Sequence, residues 1–339
     1  MDLSTHYLGL TLKNPVVAGA SAMTAKKELI ERIAKAGAGA VVAQSLFEEQ
    51  IQLDRFHLDE EAEAAAHRHP EMETVFPRLA EAGPEQHLAW LREVKQAIDI
   101  PLIGSINAVQ DETWVEYAAK VADTGVDALE LNFYSGSRNT EQNAAEIEDR
   151  QIRVVERICG EVSLPVSVKL SVFYTNPLQV IRRFMDAGAA GAVLFNAFFH
   201  PDFDIEQEKN TLPVSFSKPQ DIRLRLRFAG LLHDTVDGSI CVSGGVHYAP
   251  EVIKAILAGA DAVQMVSSLY LNKPEHLQTV LTDLQKWMEQ KGHNSLDEFR
   301  GKLSQKNNPD RWTYSRMQYV GTLLKPDPLS PPDHALRSI

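Results

Sequence analysis

Short apolar runs alternate with longer amphipathic stretches along nearly the whole chain. The runs lie at 16–20, 41–45, 101–107, 128–134, 166–170, 192–198, 240–246 and 262–268. Helix-period patterns follow at 28–36, 84–98, 111–123, 144–159, 177–187, 219–232, 249–257 and 274–290. Four junctions repeat one phrase: Ala36-Gly37-Ala38-Gly39-Ala40-Val41, Thr124-Gly125-Val126-Asp127-Ala128-Leu129, Ala187-Gly188-Ala189-Ala190-Gly191-Ala192-Val193 and Ala258-Gly259-Ala260-Asp261-Ala262-Val263. Each reads as a helix ending at a glycine with positive φ, a tight turn and a buried strand. Strict strand-then-helix alternation implies parallel strands joined by right-handed crossovers. Eight such units predict a (β/α)8 TIM barrel. A doubly wound open sheet would normally bring a dinucleotide turn after the first strand, and Ala18-Gly19-Ala20-Ser21-Ala22 is not G-x-G-x-x-G.

Two regions fall outside the repeat. Residues 46–83 form a long, acidic, Ala-rich insertion after strand two, the kind of loop that walls a substrate site. Residues 307–339 form a tail with Trp312, Tyr314 and Tyr319, expected to pack on the barrel or on a neighbouring subunit. The expected organisation is thus one barrel over 1–306 and a tail over 307–339, with no interdomain linker.

A chain of 339 residues can bury a full barrel core. Its formal charge of −12 argues against nucleic acid and anionic membrane as partners. No apolar run is long enough to span a bilayer, and the N-terminus lacks signal-peptide character, so a cytoplasmic protein is expected. Cys159 and Cys241 are the only cysteines, which excludes a four-cysteine iron–sulfur site within the chain. A homodimer is the expected assembly.

Strand parity locates the chemistry, because a barrel strand alternates between interior and helix layer. In strand five Ser167, Lys169 and Ser171 point inward. In strand four Glu130, Asn132 and Tyr134 do, and in strand six Leu194 and Asn196, with Val193 and Phe195 facing helices. Strand two sends Val42 and Gln44 inward, and strand three Ser105 and Asn107. Gln44, Asn107, Asn132, Lys169 and Asn196 form a polar ring near the C-terminal strand ends, the catalytic face of such barrels. Any one of these side chains alone would more simply cap a helix; five converging indicate a ligand site. Glu130 lies one layer deeper and needs a partner, whether structural or catalytic.

Strand seven ends in Ser243-Gly244-Gly245-Val246, and strand eight in Met265-Val266-Ser267-Ser268. Glycines there let backbone N–H groups approach an anion, and phosphate sites recur at this place in the fold. The pattern indicates a phosphorylated ligand without choosing among flavin, sugar and nucleotide.

From about residue 8 to 303 the chain resembles the FMN-dependent dihydroorotate dehydrogenases and the similar flavin barrel of dihydropyrimidine dehydrogenase. Asn14-Pro15 looks like the family's strand-one opening. Glu130-Leu131-Asn132-Phe133-Tyr134-Ser135 resembles its E-L-N-x-S-C/S motif, and Val168-Lys169-Leu170 its flavin-contacting lysine strand. Phe195-Asn196 matches the strand-six Asn. Ser243-Gly244-Gly245-Val246 and Gly259-Ala260-Asp261-Ala262-Val263-Gln264-Met265 resemble the phosphate turn and the strand-eight entry. The resemblance implies FMN, with its phosphate at Gly244, Gly245, Ser267 and Ser268 and its ring near Lys169. Ala20, Ser21, Gln44, Asn107, Asn132 and Asn196 would line the same cofactor site. It implies hydride transfer between a substrate CH–CH bond and flavin N5, with Ser135 and Lys169 as catalytic residues. Ser135 stands at the family's Cys/Ser base position and equally suits a loop hydroxyl satisfying its own turn. Asn132, Asn196 and Tyr134 would hold a small-molecule substrate, and electrons would leave to a soluble acceptor or a separate redox partner.

The chain also departs from that family. The family's strand-two Lys is Gln44, and its N-x-x-G-L-x-N loop is missing, since 46–83 contains no Asn. Its P-N after the base is Gly136-Ser137, and its Ser after the strand-six Asn is Ala197. The flavin half looks kept and the substrate half rebuilt, with His200-Pro201-Asp202-Phe203-Asp204 available as a new wall. His67 and His69 read as a solvated loop rather than a metal site. Two other readings stay open: a non-redox phosphate-binding isomerase or aldolase using Lys169, and a flavin-binding relative without dehydrogenase activity.

Overall fold

All four of the repeated glycines lie in left-handed backbone: Gly37, Gly125, Gly188 and Gly259 have φ of 104, 87, 101 and 115°. Each ends a helix and delivers a parallel strand. The computed structural model describes residues 1–52, 83–134, 140–197, 201–211, 215–310 and 312–324.

The chain opens with the antiparallel pair β1 (Thr5–Tyr7) and β2 (Leu10–Leu12), followed by β3 (Val16–Ala18), α1 (Lys27–Lys35), β4 (Ala40–Val42) and β5 (Leu46–Phe47). Next come α2 (Pro84–Ala97), β6 (Leu102–Asn107), α3 (Asp111–Ala122), β7 (Ala128–Asn132), α4 (Ala144–Glu161), β8 (Val166–Leu170), α5 (Pro177–Asp186) and β9 (Gly191–Leu194). A small hairpin, β10 (Asp202–Asp204) with β11 (Lys209–Thr211), precedes α6 (Ile222–Leu232), β12 (Ser239–Ser243), α7 (Ala249–Ala258) and β13 (Ala262–Met265). The described chain ends with α8 (Ser267–Asn272), α9 (His276–Lys291) and α10 (Met317–Leu323).

Strands β3, β4, β6, β7, β8, β9, β12 and β13 pair in parallel in that order, and β13 pairs back to β3. The eight-stranded barrel is closed, as the alternation predicts. Two cores follow from strand parity. Inside, Val17, Ala40, Val42, Ile103, Val193 and Cys241 pack on Tyr7, Leu8 and Leu12 of the N-terminal hairpin, which plugs the barrel floor. Outside, Val41, Leu131, Val168, Leu194 and Val242 pack under the helices. The apolar plug fills the lower barrel and leaves the upper interior to polar side chains.

Strand six corrects the parity expectation. Val193 belongs to the inner core, while Leu194 and Phe195 both pack in the helix layer. Phe195 meets Phe228 of α6 edge-on at 5.3 Å, and the peptide bond between Leu194 and Phe195 is cis. Two successive outward residues then leave Asn196 facing the barrel mouth, as expected for that residue.

Of the insertion, 46–52 and Gly83 are described. Glu48, buried, accepts from the backbone N–H groups of Val109 and Gln110, so its carboxylate caps the turn into α3. His67 and His69 lie outside the described residues. In the tail, the Tyr314 hydroxyl donates to Leu303 O at 2.6 Å and its ring packs against Gly230 of α6. Among the described residues no helix is long and apolar enough to cross a membrane.

The Asn14-Pro15 opening acquires a mechanical role. Asn14 is 4% exposed; its amide donates to Gly37 O at 2.7 Å and accepts from Val16 N–H at 3.0 Å. A Cβ at Gly39 would collide with the Asn14 carbonyl, so the first strand and the first helix–strand turn are locked together. Asn14→Ala strands the buried Val16 N–H and the half-buried Gly37 carbonyl and is expected to lower unfolding free energy by about 1–3 kcal/mol in denaturant titration. A change within experimental error would show that this lock contributes nothing.

Candidate active site

Lys169 enters the site from β8, where the register places it beside Asn132 of β7. It is 6% exposed. A buried ammonium is strongly disfavoured unless hydrogen-bonded and paired. Lys169 Nζ donates to Gln264 Oε1 at 2.8 Å and stands 3.5 Å from Glu130 Oε1. Gln264 Nε2 donates in turn to Glu130 Oε2 at 2.5 Å. Three side chains from β7, β8 and β13 thus form one network across the barrel interior. Glu130 Oε1 accepts no hydrogen bond among the described residues.

Beneath the network sit Tyr7 and Cys241. The Tyr7 hydroxyl is buried, and burial, with the Glu130 charge adding to it, raises its pKa well above the ordinary value. Burial, then the Glu130 charge, likewise pushes the Cys241 thiol well up. Both stay protonated, so neither is a nucleophile. Cys159 is also a free thiol, held up at about 11 by burial.

Above the network the two predicted amides meet. Asn196 Nδ2 donates to Asn132 Oδ1 at 2.7 Å, while Asn196 N–H donates to Leu170 O at 2.8 Å. Lys169, Asn132 and Asn196 are therefore assembled at one place from three strands. Ser45 and Ser105 share a 2.7 Å hydroxyl contact deeper on the β4–β6 side. Ala20 and Ser21 follow β3; Ser21 N–H donates to Thr24 Oγ1 at 3.0 Å in a short helical turn. Gln44 N–H donates to Thr24 O at 3.1 Å, which ties the ends of strands one and two together. Asn107 ends β6, half-buried opposite Phe47.

Tyr134 follows the end of β7, its backbone N–H donating to Asn132 O at 3.0 Å. It lines an aromatic cavity of about 510 Å³ over α3 and α4 with Trp114, Phe133, Phe173 and Tyr174. Lys169, Asn132 and Asn196 do not border this cavity. Ser135 and His200 lie outside the described residues.

The strand-seven turn carries two successive left-handed residues, Gly244 at φ 95° and Gly245 at φ 77°. Gly245 N–H donates to Ser217 Oγ at 3.1 Å, and Ser217 N–H and hydroxyl both donate to Ser267 Oγ at 3.0 Å. His247 Nε2 stands 3.4 Å from Ser217 Oγ. Arg225 Nε donates to Ser243 O at 3.1 Å, running along the same turn. Ser268 differs from Ser267: its hydroxyl is buried and donates to His247 O at 3.0 Å, away from this cluster.

Gln264, Ser217, His247 and Arg225 are site residues that the sequence reading does not single out. Strand parity applied to strand eight would have found Gln264, since Ala262 packs inside the barrel and Gln264 is two residues on. His247 lies two residues past the double glycine. Nothing in the sequence marks Ser217.

The donor set suits a flavin. A cation and two amides stand at the barrel mouth, and a turn of two left-handed glycines stands where a phosphate would meet backbone N–H groups. A Cβ on Gly19, between them, would lie 2.8 Å from Val266 Cγ2 and 3.0 Å from Gln264 Oε1.

Comparison with known proteins agrees. Residues 79–288 match the family model described as dihydroorotate dehydrogenase. The catalytic subunit of dihydroorotate dehydrogenase B (NAD(+)) from Methanocaldococcus jannaschii is 26% identical over 281 residues, covering 79% of this chain and 87% of the relative. The chloroplastic dihydropyrimidine dehydrogenase (NADP(+)) of Arabidopsis thaliana is 23% identical over 332 residues, covering 88% and 76%. A putative dihydroorotate dehydrogenase A (fumarate) from Aeropyrum pernix is 24% identical over 312 residues, covering 88% and 97%. The chain belongs to the dihydroorotate dehydrogenase family. It is a flavin-dependent oxidoreductase of that type, acting on a CH–CH donor.

The two turn glycines separate on substitution. A Cβ at Gly245 would run into the Ile222 backbone N, whereas one at Gly244 would meet the flexible Arg225 side chain at 3.1 Å. Gly245→Ala is therefore expected to destabilise the protein more than Gly244→Ala, by about 1–3 kcal/mol. Equal unfolding midpoints for the two variants would contradict this packing.

Proposed function

We propose that the flavin is FMN, with its phosphate at Gly244, Gly245 and Ser267 and its ring beside Lys169, and that the substrate is a cyclic or unsaturated compound related to dihydroorotate rather than dihydroorotate itself. The observation that carries this reading is the hydrogen-bonded Asn132–Asn196 amide pair at the strand ends, in register beside the buried Lys169 of β8 and on the same rim as the double-glycine turn. When bound, the flavin supplies a hydride acceptor or donor at N5. The chain's own residues do the rest. Lys169 places a positive charge where negative charge develops on reduction. Asn132 and Asn196 each offer a donor and an acceptor, suited to a planar amide or imide edge. Ser135 stands in sequence where the family's base stands, and as a hydroxyl it needs a water or a neighbouring acceptor to take a proton.

The substrate half supports a shift of substrate. Gln44 replaces the cation that would pair with a substrate carboxylate, and Ala197 replaces a hydroxyl. A carboxylate bound without a cationic partner is costly, on the order of several kcal/mol. Cytoplasm, a soluble electron acceptor or separate redox partner, and a homodimer complete the reading. They are supported by the acidic composition, by only two cysteines, and by exposed Trp312, Tyr319 and Leu324 near the end of the described chain.

Two outcomes follow. Protein purified from cells should carry a yellow chromophore that mass spectrometry identifies as FMN. Lys169→Ala should lose it, or slow its reduction by about 10²-fold or more, with unchanged circular dichroism. Full FMN content and normal reduction in that variant would remove Lys169 from the site. Under anaerobic mixing, millimolar dihydroorotate should bleach the flavin slowly or not at all. Rapid, saturable bleaching abolished by Ser135→Ala would show that dihydroorotate is the substrate after all.

A further inference from the structure

Glu130 is a wholly buried carboxylate to which the reading above gives no task. Its Oε2 is satisfied by Gln264 Nε2, while Oε1 accepts no hydrogen bond among the described residues. Lys169 of β8 is the cation that faces it, 3.5 Å from Oε1 and committed by hydrogen bond to Gln264 instead. Among the described residues, Tyr7 of the floor hairpin and Cys241 of β12 also feel its charge, both raised by burial and by that charge, and therefore neutral. Among the described residues, Lys169 and Glu130 thus face one another without a direct hydrogen bond, and their pairing is loose.

Two-electron reduction of a flavin by hydride transfer adds one negative charge to the ring. Lys169 cannot serve that charge and Glu130 equally, and a carboxylate left in the barrel without its cation is strongly disfavoured. An oxygen with no hydrogen-bond partner is a place for a proton. We infer that Glu130 is a redox-linked proton site: when the flavin is reduced, Lys169 pairs with the ring and Glu130 Oε1 takes one proton from solvent, releasing it on reoxidation. The balance closes. Substrate supplies two electrons and one proton as hydride, the carboxylate becomes a carboxylic acid with the second proton, and no further oxidant or reductant is needed. The inference rests on the proposal that a flavin sits beside Lys169.

The test is a potentiometric titration of the flavin-loaded protein at several pH values around neutrality. For a two-electron couple, each tenfold change in proton concentration moves the potential by about 59 mV if two protons accompany reduction, and by about 30 mV if one does. The wild type is expected to follow the steeper slope and Glu130→Gln the shallower one. The reduced-minus-oxidised infrared difference spectrum of the wild type should gain a protonated-carboxyl C=O stretch. Should Glu130→Gln fail to fold, the wild-type slope and this band together decide. A shallow wild-type slope, a steep slope retained in Glu130→Gln, or no carboxyl band overturns the inference and leaves flavin binding intact. A purified protein that holds no flavin and takes up no added FMN overturns both this inference and its parent reading.

Discussion

A lysine that is 6% exposed must be matched by its surroundings or expelled, and that requirement organises the upper half of this barrel. Lys169 is held by Gln264 and faced by Glu130, three side chains from strands β8, β13 and β7. The network needs a closed barrel, because only closure brings β13 across from β7. It also needs the apolar plug below, where Tyr7, Leu8 and Leu12 keep water from the floor. As a source of stability the ion pair is weak, since desolvation offsets most of its attraction. On the proposed function, its value lies in presenting a fixed cation to a ligand at the mouth.

The division of the barrel into an apolar lower half and a polar upper half follows from strand parity. Val17, Val42, Ile103 and Val193 fill the lower layers. Two and four residues further along β7, and two along β8 from Ser167, the same inward parity delivers Glu130, Asn132 and Lys169. At the strand ends this gives amides and a cation on one side, and the double-glycine turn with Ser217, Ser267 and His247 on the other. The site needs no long loop for this half of its chemistry. On the proposed function the substrate half depends on loops, and there the family resemblance implies other residues than this chain's Gln44, Ala197, Gly136 and Ser137.

The fold was legible because its signals are local. Each helix-ending glycine of the repeated phrase needs a left-handed conformation, and the strand after it shows as an apolar run. Lys169, Asn132 and Asn196 were legible because period-two parity is also local. Strand six shows the limit. Leu194 and Phe195 both face the helix layer, an irregularity set by packing against Phe228 on a distant helix. Asn196 was expected inside and is found there, but after a break in the alternation rather than along it. The floor hairpin of β1 and β2 was missed because three-residue strands leave little periodic trace. Ser217 joins the site through contacts with Gly245 and Ser267 that span 28 and 50 residues, which no local pattern reveals.

The central claim is that the Lys169 network and the double-glycine turn are the two ends of one flavin site. A crystal structure of the protein as purified tests it directly. The account predicts the flavin ring stacked in the barrel mouth with Lys169 Nζ at its polar edge, and the phosphate on the Gly244–Gly245 backbone. Flavin density elsewhere, or a phosphate bound away from that turn, would contradict it.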